Sequence, residues 1–170
     1  GSVYLDRFVR SKDRKALASA ETLFHLAQRA NPNSDIPGRR LEVLYIARLT
    51  GDTEKDLPIH RQIVEADRDV LRVDPFNPFV RKNLAEALFN SGAKSEGILE
   101  LQRAIELEPN YVPGYLRLAE WSGEAGDSGA AERYRAIATS IVAKYARQPV
   151  EEPYEALLLG RPLPAGQQHP

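Results

Sequence analysis

Few residues in this chain are of a type and spacing that suits catalysis. Gly126-Asp127-Ser128-Gly129 is a setting in which some hydrolases carry a nucleophilic serine. Such a serine needs a histidine base and an orienting acid brought to it by the fold. The three histidines, His25, His60 and His169, lie far apart in the sequence. No two of them have the i, i+4 spacing by which one helix face holds a metal ion, and each reads as a surface or turn residue. The chain has no cysteine, which excludes disulfides, thiolate metal sites and a thiol nucleophile. Neither glycine pattern that cradles a phosphate occurs. The Gly126–Gly129 stretch is explained by local structure, with glycine reversing the chain and Asp127 or Ser128 capping the next helix. Hydrolysis at that turn is the lesser reading; the residues predict no enzyme, no cofactor and no metal.

The elements that carry these residues are punctuated by proline. Val73-Asp74-Pro75-Phe76-Asn77 and Leu107-Glu108-Pro109-Asn110-Tyr111 are alike and lie 34 positions apart, and Ala30-Asn31-Pro32-Asn33 makes a third junction upstream. Between the junctions the pattern reads helix, glycine turn, helix. From Pro78 the residues Arg81, Leu84, Ala85 and Leu88 fall on one helical stripe, with Asn77 placed to cap it. Gly92 supplies the turn, and Ile98, Leu101, Ala104 and Ile105 form a second stripe that Pro109 ends. A period near 34 with two helices per unit is the signature of a solenoid.

This unit resembles the tetratricopeptide repeat, whose pattern is W-x₂-L-G-x₂-Y, then A-x₃-F, then P. Arg81, Leu84, Ala85 and Leu88 take the first four places, and Gly97, Leu101 and Pro109 the last three. Tyr115, Leu118, Ala119, Ser122, Gly126, Ala131 and Ala138 repeat the pattern in the next unit, and Ala20, Phe24, Ala27 and Pro32 close the first. The second unit departs from it. Its first helix, with Arg40, Val43, Leu44 and Ala47, ends at Gly51-Asp52, but Pro75 comes seven residues late. An insertion around Asp52 to His60 is therefore expected to lengthen the loop and the following helix, and Asp67 falls where an apolar residue is usual.

The expected fold is all-α: a right-handed solenoid of about four tetratricopeptide-like units, 3–34, 35–75, 76–109 and 110–143, within a domain spanning 3–146. Gly1-Ser2 reads as a tag remnant. Residues 147–170 are expected to form a short capping helix, with Tyr154, Leu157 and Leu158 on the end of the stack near Ile137 and Ile141, and then a disordered tail.

The resemblance implies a function. In such repeats the first helix of each unit lines a concave groove that holds peptides. In the third unit that stripe is Phe79, Lys82, Asn83, Glu86, Phe89 and Asn90. Its neighbours are Leu41, Tyr45 and Arg48 before it, and Leu116, Arg117 and Glu120 after it. Chaperone-binding relatives clamp a terminal carboxylate with five polar residues. Only Asn83 and Arg117 match here, since Leu41, Tyr45 and Pro113 occupy the other places, so that clamp is not expected.

The composition agrees with an interaction module. With 23 basic against 24 acidic side chains in 170 residues, the net charge is -1, which implies no general affinity for nucleic acid. The basic cluster Arg7, Arg10, Lys12, Arg14 and Lys15 is diluted by Asp6 and Asp13 and reads as a solvated turn. No run of 18 apolar residues occurs, so this stretch is not expected to enter a membrane. With no methionine, it reads as a fragment of a larger bacterial protein, cytoplasmic or periplasmic. Val73 to Leu88 and Tyr154 to Pro162 are similar to the soluble repeat appendages of envelope-glycan polymerases and ligases, which would place the piece in the periplasm. The main expectation is a non-catalytic scaffold that binds a protein or peptide.

Overall fold

Caps and glycines divide the chain into helices. A computed structural model describes residues 1–11 and 13–146, and among them it contains eight α-helices and no strand. These are α1 (Ser2–Ser11), α2 (Arg14–Ala30), α3 (Ile36–Ile46), α4 (Thr53–Val73), α5 (Pro78–Asn90), α6 (Lys94–Leu107), α7 (Val112–Glu124) and α8 (Ser128–Ala146). Side-chain oxygens of Asp13, Asp52 and Asn77 accept backbone N–H groups at the starts of α2, α4 and α5. Asp127 does the same for Ala130 N–H at 2.8 Å. Each satisfies one or two of the donors that a helix start leaves unpaired.

Gly92 and Gly126 end α5 and α7 at φ 96° and 83°, a conformation that a β-carbon disfavours. The reversals that follow are alike. Ala93 N–H reaches Leu88 O at 2.9 Å, and Asp127 N–H reaches Ser122 O at 2.9 Å.

Each helix packs chiefly on its neighbours in sequence, so the helix pairs stack in one dimension as a solenoid does. Two apolar cores result. One gathers Leu5, Phe24, Leu41, Leu44, Ile63 and Leu88. The other gathers Leu101, Ile105, Tyr115, Leu118, Trp121 and Ile141.

The insertion in the second pair lies mostly in helix. α4 has 21 residues against 14 in α6, and Thr53 to His60 form its first turns, with Pro58 inside the helix. The link from α3 to α4 is tied by Asp56, whose carboxylate accepts Thr50 N–H at 2.9 Å, Thr50 Oγ1–H at 2.9 Å and Gly51 N–H at 2.8 Å. Burial alone would raise the pKa of this carboxyl, but these donors outweigh it and hold Asp56 below the ordinary carboxylate value. The expected cap by Tyr154, Leu157 and Leu158 lies outside the described residues.

Candidate functional site

The first helices of the last three pairs, α3, α5 and α7, share one face on which three depressions run together. One of about 500 Å³ lies between α5 and α7. A second, of about 470 Å³, lies over α3. The third, of about 200 Å³, reaches down to His60 and Ile63 of α4. Asn83 lines all three, so the middle of α5 is the saddle of a continuous groove.

The expected stripe on α5 is partly there. Asn83 and Asn90 are exposed and Glu86 is half-buried, and all three line the groove. The Asn83 amide donates to Glu42 Oε1 on α3. Burial raises the Glu42 carboxyl above its ordinary value, and this bond offsets part of that shift.

Lys82 lines the groove wall, but little of it is open. Its side chain is 11% exposed. The ammonium sits 3.7 Å from the ring centre of Tyr111 and 4.1 Å from that of Phe79, and 3.3 Å from Glu108 Oε2. A cation between two π faces and a carboxylate is already bound. Phe79, 62% exposed, is the outer half of that sandwich.

Phe89 is not in the groove. Its ring stacks on Trp121 of α7 at 4.1 Å with 5° between planes, which makes it a link between the third and fourth helix pairs.

On α7, Leu116, Arg117 and Glu120 line the depression as expected. Arg117 bridges two carboxylates, with Nε 2.7 Å from Glu86 Oε1 and Nη1 2.6 Å from Glu120 Oε2.

On α3, and at Arg48 just past its end, the expected residues face away from the groove. Leu41 and Tyr45 are buried. The Tyr45 hydroxyl donates to Glu21 Oε1 of α2 at 3.1 Å and lies 3.4 Å from His25 Nε2. Arg48 turns to Gln62 at 3.2 Å.

The residues that do line the groove on α3 are Ile36, Arg39, Arg40, Glu42, Val43 and Ile46. Arg39, Glu42, Val43 and Ile46 hold the places of Phe79, Lys82, Asn83 and Glu86, while Leu44 and Tyr45 are buried as Leu84 and Ala85 are. The register between α3 and α5 is thus one residue shorter than the pattern in the sequence suggested. One residue turns a helix by about 100°, enough to exchange a groove residue for a core residue. The usable signal was Ile36, Val43 and Ile46, three aliphatics on the face opposite Leu41 and Leu44.

Neither described histidine is an isolated surface group. His25 lies beside Tyr45, and His60 sits on α4 with a buried Nδ1 that has no hydrogen-bond partner among the described residues. Burial lowers the His60 pKa, against the pull of Asp56. No group of three or more histidine or acidic side chains among the described residues has metal-site geometry. At the Gly126–Gly129 turn, Asp127 is engaged as the cap of α8.

No protein-family model matches the chain, and no curated protein matches it. Solved structures do. A crystal structure of MamA superposes with a TM-score of 0.63, covering 78% of this chain and 72% of that one at 20% identity. Another MamA crystal structure gives 0.65, covering 86% and 75% at 20% identity. MamA AMB-1 gives 0.63 over 85% and 70% at 19% identity. The likeness establishes the fold: an α-solenoid of tetratricopeptide-like helix pairs.

Proposed function

We propose that the chain is a non-catalytic binding module that holds an extended segment of a protein partner in the groove along α3, α5 and α7. The observation that carries this reading is the continuity of the three depressions through Asn83. Exposed aliphatics Val43, Ile46 and Leu116 stand on that face among amides and charged groups. The Asn90 side chain makes no hydrogen bond among the described residues. An amide offers donors and an acceptor together, which suits a peptide backbone. Aliphatic anchors set in a polar rim are the usual makings of a peptide-binding surface.

A photo-crosslinking side chain placed at Val43 or Leu116 tests this, with Leu26 on α2 as the control position outside the groove. Partner adducts from the two groove positions and not from Leu26 support the reading. Adducts from Leu26 alone overturn it.

The parent-protein reading, an appendage of an envelope-glycan polymerase or ligase, draws its support from the Val73 to Leu88 and Tyr154 to Pro162 stretches. Its test is the gene sequence upstream of Gly1, where hydrophobic spans would favour it and a soluble domain would refute it. No helix among the described residues is long and apolar enough to cross a membrane.

A further inference from the structure

The charges of the groove are arranged with a direction. At the α3 end Arg40 is exposed and has no ion pair or hydrogen bond among the described residues. Its neighbour Arg39 lies 3.6 Å from Asp35 and stays mostly open to solvent. The acid of that end, Glu42, is buried and occupied by the Asn83 amide. At the α7 end a single guanidinium, Arg117, is shared by Glu86 and Glu120 at 2.7 and 2.6 Å, which leaves one negative charge in excess. Lys82 is neutralised by Glu108 within its aromatic sandwich. The solvent-facing charge of the groove therefore runs from the open guanidinium groups of Arg39 and Arg40 over α3 to Glu86 and Glu120 over α7, with Val43, Ile46 and Leu116 between and beside the poles.

We infer that the occupant of the groove is a dipolar peptide segment of a partner protein. It carries an acidic residue over Arg40, aliphatic residues over Val43 and Ile46, and a basic residue over Glu86 and Glu120. This rests on the groove reading and adds the partner's chemistry to it. Asn83 reaches from α5 to Glu42 on α3, and Arg117 from α7 to Glu86 on α5, so the poles lie two helix-to-helix steps apart, each roughly 10 Å or more. An extended strand covers that in about six residues at roughly 3.3 Å each. Opposite charges at both ends fix orientation and register and steer encounter, and they disfavour the reversed segment by like-charge repulsion.

The probe is a displayed library of random twelve-residue peptides, selected on the whole chain at low salt. Recovered peptides are then titrated by fluorescence anisotropy. The expected sequences carry an acid and a base about six positions apart with aliphatics between. Arg40→Glu is expected to weaken them at least tenfold, and replacing the peptide's acid by lysine is expected to restore binding to that variant. Arg40 is exposed and unpaired, so the variant keeps its fold, which an unchanged melting temperature checks.

If recovered peptides are displaced by Leu116→Arg but show no charge order and ignore Arg40→Glu, the dipolar occupant is wrong and the groove reading stands. If no peptide is recovered, or binding ignores Leu116→Arg as well, the groove reading falls with it. A concentration-dependent dimer that Arg40→Glu abolishes would make a second copy the occupant and overturn the proposal.

Discussion

Arg81 stands where the repeat pattern has tryptophan, and a cation can hold so enclosed a place only with partners around it. Its Nη1 lies 2.7 Å from Glu100 Oε2 and its Nη2 donates to Pro75 O at 2.6 Å. Glu100 is shared with Arg103 on the other side. Removing one member of an enclosed pair leaves the other uncompensated. Glu100→Ala is therefore expected to lose about 2–4 kcal/mol in urea unfolding, and Glu100→Gln less, since it keeps an acceptor for Arg81. Asp67 is the opposite case. It is 0% exposed, neither carboxyl oxygen has a hydrogen-bond partner among the described residues, and burial, aided by the charge of Glu42, pushes its pKa up to about 9. A pKa raised in the folded state gives stability that is complete below the ordinary value, 3.8, and is lost as pH rises toward 9. Asp67→Asn, which mimics the neutral acid, should change little at pH 4 and gain increasingly above it. The gain approaches about 1.4 kcal/mol per pH unit at most. Chemical denaturation of both proteins from pH 4 to 9 checks it, and parallel curves would refute the buried neutral acid. The sequence flagged Asp67 as out of pattern. The neighbouring charge of Glu42 was beyond reach because its place relative to Asp67 depends on how α3 is rotated.

At the scale of elements, small residues decide how closely two helices approach. A β-carbon on Gly97 would lie 2.8 Å from Ala85 O and 2.9 Å from Phe89 N, both backbone atoms that move only if α5 and α6 separate. Gly123, inside α7, has nothing within 4 Å of that position. Alanine in a helix is better than glycine by up to about 1 kcal/mol, whereas overpacking costs about 1–3 kcal/mol. Gly97→Ala is thus expected to lower the melting temperature, and Gly123→Ala to raise it slightly; the same sign for both would refute the close approach. Where glycine, proline and cap residues set the outcome, the elements could be read from the chain. Asn77 caps α5, Gly92 and Gly126 turn the chain, and α6 ends ahead of Pro109. Where rotation about a helix axis sets it, they could not. The link from α3 to α4 has no counterpart in the later pairs, so the register of Arg40, Val43, Leu44 and Ala47 in the repeat pattern put Tyr45 and Arg48 into the groove, and left Val43 and Ile46 out of it. Phe89 was misplaced for a different reason. It lies beside the groove stripe on α5, and only the position of Trp121 on α7 shows which way its ring turns.

On the scale of the whole molecule the two cores meet in α5. Leu84, Ala87 and Leu88 belong to the core of the first two pairs, and Ala85 to the core of the last two. In a one-dimensional stack, stability is the sum of each unit's own terms and of its contacts with neighbours, so a defect spreads only as far as those contacts carry it. α5 is the element through which both halves communicate. Leu84→Ala opens a cavity at a position 3% exposed, with an expected loss of about 2–5 kcal/mol. Because α5 also walls the second core, the loss should appear as faster amide exchange in α3 and α4 and in α6 and α7 alike. Leu118 is 0% exposed but contributes to the second core alone. Leu118→Ala, of comparable cost, should speed exchange in α7 and α8 while α2 to α4 keep their protection. Hydrogen–deuterium exchange of the two variants beside the parent chain separates the cases. If Leu84→Ala loosens only α1 to α4, the halves fold independently of α5. The groove, whose saddle is the outer face of that same helix, would then rest on a hinge between two units rather than on one continuous scaffold.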